Sequence, residues 1–442
     1  LSKPLSHEQS KQQSVTKAYL GRAASTTVNG VADKSPDLSV VTTFRKWLHL
    51  TDPGSIEVML GAYAANRLPG DPVWMLLVGA SSGGKGEVIN TFERLPYSHP
   101  VAHVSEASLL SGSSKDNWSS DATGGLLQEV GDFGIFVFKD LTSMFTQNRD
   151  ERGKALSALR QCYDGSWVRP VGVDGARKLR WQGKLGILGG VTKAIDREHE
   201  TMSKLGERFL FFRLLKIDKA GALEQARKVA KTRGQEAIMR SELSAAVSLF
   251  LDLDYTGSAT PEISRSDEDW LAELVTLATR CRSYVARDSY SRQIEDPGDS
   301  EGPGRMMRAL TQLWAGLRLV GICPERCREL IQKTSLDSMP PSRRVGFDYL
   351  VANGGKATVA NIALTDLYPE LTVRRGLQEL ECHGVVERAK EGNSEFWSIA
   401  KEWSEFSVKL KTPPPKIVRA RNGSSRTGIS TEQQTESTGY EQ

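Results

Sequence analysis

One stretch limits this chain more than any other: Val73-Trp74-Met75-Leu76-Leu77-Val78-Gly79-Ala80-Ser81-Ser82-Gly83-Gly84-Lys85-Gly86-Glu87. An apolar run of strand length leads into glycines and a lysine, and a helical pattern follows from about Glu87 to Arg94. Strand, glycine loop, lysine and helix are the context of a phosphate-binding loop. Glycines let successive N–H groups turn toward phosphate oxygens, and the following helix offers its positive end to the same anion. Gly79, Gly84 and Lys85 meet the spacing of that loop, with Ser81, Ser82, Gly83 and Glu87 completing the cradle. Lys85 is then the residue that reaches the β- and γ-phosphates. Gly86 stands where a serine or threonine would hold magnesium. The plain alternative is a glycine-rich turn between a strand and a helix.

At 442 residues the chain is too long for one domain, and two or three are expected. Apolar residues make up 39%, enough for a real core, and the net charge of +4 gives no global basic field. Any nucleic-acid surface must therefore be local. The five cysteines are scattered; Cys323 and Cys327 lack a second pair, so thiols in a reducing compartment are expected rather than a zinc site. No apolar run reaches membrane-spanning length and no signal peptide is visible. The chain opens on Leu1, as a trimmed chain would.

Residues 1–40 are rich in Ser, Gln, Lys and Thr and read as a disordered arm. Helices are expected over Val41–Leu50 and Ile56–Leu68, separated by Asp52-Pro53-Gly54. After the glycine loop, His103-Val104-Ser105 reads as a short strand and Thr123–Glu129 as a helix. Gly134-Ile135-Phe136-Val137-Phe138-Lys139-Asp140 is a buried strand ending in an acid, the form of a Walker B element. In a parallel sheet its carboxylate lies across from the glycine loop, where Asp140 can hold metal or polarise water. The alternative is a core strand whose Asp starts a helix. Asp150–Tyr163 reads as an amphipathic helix. Trp167–Gly172 and Arg177–Trp181 flank Asp174-Gly175 and read as a hairpin carrying Arg169, Arg177, Lys178, Arg180, Trp167 and Trp181. Two further strands follow, Leu185–Gly190 ending at Thr192, and Gly206–Leu214 with Arg208 at its entrance.

Strands alternating with helical patterns give an α/β fold with a parallel sheet. Over about residues 55–320 the order of elements resembles the AAA+ ATPases, and among them the mini-chromosome-maintenance-like group with a hairpin before the third core strand. The resemblance rests on Gly131-Asp132-Phe133-Gly134 before the Walker B strand, the hairpin, Thr192 at the sensor-1 position, Glu207-Arg208-Phe209 at the arginine finger, and Gly302-Pro303-Gly304-Arg305-Met306 at sensor 2. It implies ATP and Mg2+ as cofactors, and Asp140, Thr192, Arg208 and Arg305 as catalytic residues, with Asp140 on the metal. Gly86 and Lys139 depart from the family pattern, so nucleotide binding is better supported than turnover.

Residues 41–215 are then the nucleotide-binding domain and 216–338 a helical lid, with long helical patterns over Ala220–Leu251, Glu268–Arg287 and Gly304–Val320. Pro340-Pro341-Ser342 marks a boundary. Residues 340–402 resemble a winged helix-turn-helix: helices over Val345–Val351, Thr358–Tyr368 and Thr372–His383, then strands Val385–Arg388 and Glu395–Ile399 around Glu391-Gly392-Asn393. Thr372, Arg374 and Arg375 would enter a major groove while Arg388 and Lys390 meet phosphates; a protein partner is the alternative. Residues 403–442 form a basic tail, read as disordered.

These resemblances imply a cytoplasmic, nucleoid-associated bacterial protein that forms a homo-oligomer, a hexameric ring, and acts on DNA. It would be a replicative helicase or a helicase loader or initiator of a phage or mobile element, with a replicative helicase or primase as further partner and no membrane. Arg169, Arg177, Lys178 and Arg180 would grip a phosphate backbone while Trp167 or Trp181 stacks on bases. The alternatives are a nucleotide-controlled winged-helix transcriptional regulator and an inactive AAA+ scaffold.

Overall fold

The computed structural model describes residues 39–410 except 51, 111–124, 146, 172–176, 199–207, 254–260, 289 and 366, and omits the side chains of 149, 170, 171 and 177. The expected arm, the tail beyond 410, the Asp174-Gly175 turn, Glu207 and the Arg177 side chain lie outside the described residues. The rest falls within one compact unit, Pro36–Gln442.

In chain order the elements are α1 (Val40–Trp47), α2 (Gly54–Arg67), β1 (Trp74–Val78), α3 (Lys85–Asn90), β2 (Ser98–Pro100), α4 (Glu106–Leu109), α5 (Leu126–Val130) and β3 (Phe133–Phe138). Then come α6 (Thr142–Phe145), α7 (Arg149–Tyr163), the hairpin β4 (Ser166–Val171) and β5 (Arg177–Gln182), β6 (Lys184–Val191) and β7 (Phe209–Arg213). A helical block follows: α8 (Lys219–Lys231), α9 (Glu236–Phe250), α10 (Arg265–Arg282), the small ladder β8 (Ala286–Arg287) and β9 (Ile294–Asp296), α11 (Gly304–Leu319) and α12 (Pro324–Asp337). The last part is α13 (Pro341–Asn353), α14 (Val359–Ala363), α15 (Glu370–Cys382), β10 (Val386–Glu391), β11 (Ser394–Ile399) and α16 (Ser404–Lys409).

The fold is α/β, built on a five-stranded parallel sheet in the order β2-β3-β6-β1-β7. Parallel strands covered on both faces read as continuous apolar runs, and strand alternation divides each run between two cores. Val73, Met75, Leu77, Ile135, Val137, Leu188, Leu210 and Phe212 enter one core; Trp74, Leu76, Val78, Phe136, Phe138, Ile187, Phe209 and Phe211 enter the other. The first core is shared with α2, α9–α13 and α15. The second lies beneath α7 and the hairpin.

Two small residues set the helical layer against the sheet. A Cβ on Gly316 of α11 would stand 2.1 Å from the Gly61 carbonyl oxygen of α2, so these helices cross with their backbones in contact. A Cβ on Gly186 would meet the Asn66 amide at 2.6 Å. Buried Asn66 instead donates to Ala62 O and Val73 O, both at 2.9 Å, and accepts from Val73 N at 2.8 Å, tying α2 to β1.

Several expectations need correction. His103–Ser105 is not a strand; Ser105 caps α4, accepting from Ser108 N, and the edge strand lies earlier, at Ser98–Pro100. The pattern over Ala220–Leu251 is two helices, broken at Gly234 (φ 78°), a left-handed position that suits glycine. The second helix of the last part is only Val359–Ala363. Pro340-Pro341 lies between two helices three residues apart: α12 ends at Asp337, Pro341 opens α13, and Arg343, 2% exposed, donates to Cys281 O, Ser283 O and Glu379. The expected three helices and antiparallel hairpin are otherwise present, joined by a bridge between Ala357 and Trp397.

Candidate functional site

All five strands run parallel, so β1, β3 and β6 deliver their ends to one edge of the sheet. Gly79 N still bonds Val191 O at 3.1 Å, one step beyond β1. The chain then turns: Gly83 N reaches Ala80 O at 3.3 Å, Ser82 has φ 58° and Gly84 φ 86°. Ser81, Ser82, Gly83 and Gly86 are exposed, whereas Lys85 is 7% exposed. Its ammonium donates to Gly79 O at 2.8 Å and Ala80 O at 2.6 Å, so the loop wraps around it. Burial lowers the Lys85 pKa and the neighbouring Asp140 carboxylate opposes that shift. Helix α3 stops at Asn90, short of the expected Arg94.

Across the edge, Asp140 Oδ1 accepts from Thr142 N at 2.8 Å, and Leu141 N bonds Gly190 O at 2.7 Å. Thr142 Oγ1 accepts from Thr192 N at 3.0 Å and lies 3.3 Å from Thr192 Oγ1. Thr142, which the sequence reading passed over, therefore holds the strand ends of β3 and β6 together. The structure brings the glycine loop, Lys85, Glu87, Lys139, Asp140 and Thr192 around one cavity of about 330 Å3. Helix α8 forms its roof: Gln225 Nε2 donates to Ser82 O at 3.1 Å, and Lys228 Nζ to Leu48 O at 3.0 Å. From α9, Arg240 pairs with Glu87 at 2.8 Å.

The cavity wall is richer in cations than in free metal donors. Lys85, Lys139 and Lys228 all line the cavity. Of its two carboxylates, Glu87 is held by Arg240, which leaves Asp140. Gly86 has no hydroxyl, and Lys139 occupies the residue before Asp140, paired with Glu93 at 3.1 Å. Among the described residues no group of three or more His, Cys, Asp or Glu could hold a metal ion.

Arg208 and Arg305 do not join this cavity. Arg208 immediately precedes β7, at the opposite, amino edge of the sheet. It is 8% exposed, one guanidinium nitrogen donates to both Asp164 oxygens at 3.1 Å, and the guanidinium lies 5.3 Å from the Tyr163 ring centroid. The same edge holds a cleft of about 640 Å3 whose wall includes Asp71, Asp164, Lys184, Glu301, Arg305 and Arg308. Arg305 lies 3.9 Å from Glu301 and Arg308 3.4 Å from Asp71. Burial pushes the Lys184 pKa down to about 8, with Asp71 opposing. Arg305 and Arg308 thus stand apart from this chain's own glycine loop.

The hairpin also differs from expectation. Trp167 faces Trp181 across the ladder, and both are buried in the second core, at 7% and 5% exposure. Trp181 Nε1 donates to Gly131 O at 2.8 Å. Neither ring is open to a base. Arg169 shares the inward face of β4 with Trp167, which turns it onto Glu106 at 3.6 Å and Leu110 O. Lys178 and Arg180 are exposed.

In the last part, Arg374 pairs with Glu395, and Arg388 bonds Glu395 at 3.0 Å and Glu381 at 3.2 Å. Arg375 is half-buried and its carbonyl accepts from Arg287 at 2.9 Å. Leu364, Leu367 and Leu371 are exposed beside these residues in sequence. Among the described residues no helix is long and apolar enough to cross a membrane.

No protein-family model matches the chain, and no curated protein matches it.

Proposed function

We propose that this chain is an AAA+ P-loop nucleotide-binding protein that assembles into a homo-oligomeric ring and acts on DNA. One observation carries the reading. Lys85, Asp140 and Thr192 meet at the carboxyl edge, while Arg208 and Arg305 stand together at the amino edge. The five residues of β7, at roughly 3.3 Å each, separate the two edges by about 17 Å. Arginines so far from their own cavity serve a neighbouring copy stacked edge to edge, where a guanidinium stabilises charge on a terminal phosphate. Assembly is further supported by α8, which buries none of its residues and exposes Leu223 and Val229 beside the cavity.

When bound, ATP supplies the phosphoanhydride whose cleavage such a site can couple to movement. Lys85 holds the phosphates, Thr142 fixes Asp140 against Thr192, and Asp140 is the carboxylate placed to orient a water. The poor donor set for a metal favours a loader or switch over a fast motor. Among the described hairpin side chains, Lys178 and Arg180 are cations exposed for a DNA backbone. Sedimentation with and without ATP analogue and DNA tests the reading: a nucleotide-dependent shift from monomer to ring is expected, and Arg208→Lys should abolish it. A monomer under every condition overturns the ring.

A second reading, a scaffold whose terminal unit binds protein, is favoured by the internal pairing of Arg374 and Arg388 and by exposed Leu364, Leu367 and Leu371.

A further inference from the structure

We infer that the carboxyl-edge cavity takes its polyphosphate without a divalent cation, Lys139 and Lys228 supplying the charge a metal would bring. This rests on the nucleotide reading above and concerns the counter-charge at that same site.

A bound triphosphate carries several negative charges, and a site must neutralise them or leave them in water. A metal-dependent site does so with hard oxygen ligands that place the ion on the phosphates. Here the positions that would do so are changed or partly engaged. Gly86 offers no hydroxyl. Glu87 is bonded three ways by Arg240, at 2.8–3.3 Å. Asp140 has one oxygen on Thr142 N. Lys139, the residue before the carboxylate that remains, lines the same cavity, and its positive charge there favours an anion over a cation.

The same wall is correspondingly rich in cations. Lys85, Lys139 and Lys228 line the cavity. Among the described residues Lys228 bonds main-chain carbonyls, those of Arg45 and Leu48, so its positive charge is not cancelled by that contact. Lys139 is 60% exposed and pairs with Glu93 at 3.1 Å. With its lysine end open to solvent the pair is screened, so the ammonium is available to swing onto a phosphate. Two lysines carry the same total charge as one divalent ion, and neither depends on a ligand set that the cavity lacks.

The experiment is calorimetric titration of the full chain with ATP, in EDTA and in millimolar magnesium. The expected result is binding in both, with magnesium tightening it less than about threefold. Tightening of about tenfold or more overturns the inference. Lys139→Ala should weaken binding in EDTA by about tenfold; unchanged affinity in a variant with the parent's melting temperature also overturns it. The double variant Lys139→Asp with Gly86→Thr restores metal donors and should make binding magnesium-dependent by about tenfold. Magnesium indifference of that variant, with binding intact, assigns the counter-charge elsewhere and counts against Lys139. Absence of ATP binding in either buffer is a different failure: it removes the nucleotide reading, and this inference falls with it.

Discussion

The two edges of the central sheet handle positive charge in opposite ways. At the carboxyl edge, Lys85 and Lys228 are held by main-chain carbonyls, and the carboxylates are few or engaged elsewhere. At the amino edge, Arg208, Arg305 and Arg308 each lie near a carboxylate: Asp164, Glu301 and Asp71. On the reading proposed above, one edge is a socket for an anion; at the other, each of these arginines already lies near a carboxylate. Opposite ends of the same parallel strands therefore lend themselves to different tasks. Strand direction alone keeps the two sets apart.

The sharpest way to break this contrast is to remove one charge from each edge. Lys85→Ala should lower ATP affinity by about a thousandfold, roughly 4 kcal/mol, because nothing else at the loop replaces its ammonium. Arg208→Lys should leave monomer affinity within about twofold. Isothermal titration on both variants checks the pair; equal losses would erase the distinction between the edges.

A second test separates the hairpin's inner and outer faces, which divide along the same strands. Trp181→Ala should destabilise the fold by about 3 kcal/mol through the cavity it leaves, read from urea unfolding. Lys178→Ala with Arg180→Ala should shift stability by less than about 0.5 kcal/mol. That double variant should instead flatten the salt dependence of DNA binding by about two units of slope. A normal slope would remove the hairpin from the DNA contact.

The smallest expected effect concerns Lys184, in the amino-edge cleft. Burial lowers its pKa to about 8 from 10.5. Between those values the unfolded chain binds the proton that the folded chain has released, so this lysine makes stability rise with pH across the window. In Lys184→Met that rise should be smaller, as seen in melting temperatures of both proteins at pH 8 and pH 10. Identical profiles would mean that Lys184 titrates normally.

Much of the sheet was legible in the sequence because strands buried on both faces must be apolar throughout. β1, β3, β6 and β7 all announce themselves in that way. β2 does not: Ser98-His99-Pro100 is short and polar, and proline suits an edge strand that lacks a second neighbour. The break at Gly234 was hidden by continuous helical periodicity on both sides. Alternation revealed the hairpin but not which face was covered, since a tryptophan fits either a core or a nucleic-acid surface. Only the contact of Trp181 with Gly131 decides that. The glycine loop and Asp140 were readable as local motifs. Glu87–Arg240 and Arg374–Glu395 were not, because their partners are far apart in the chain and charge alone does not select them.

The last residue of β7 gives the terminal unit its mechanical character. Arg213 pairs in register with Val78, just before the glycine loop, and Leu214 N bonds Val78 O at 2.8 Å. Its guanidinium grips Asp196, four residues past Thr192, at 2.7 Å, and its main chain is held by Asp337 and Lys333 of α12. Asp337 in turn lies 3.4 Å from Arg344 of α13. The three-helix unit is therefore geared to the floor of the cavity rather than trailing from it on a slack cord.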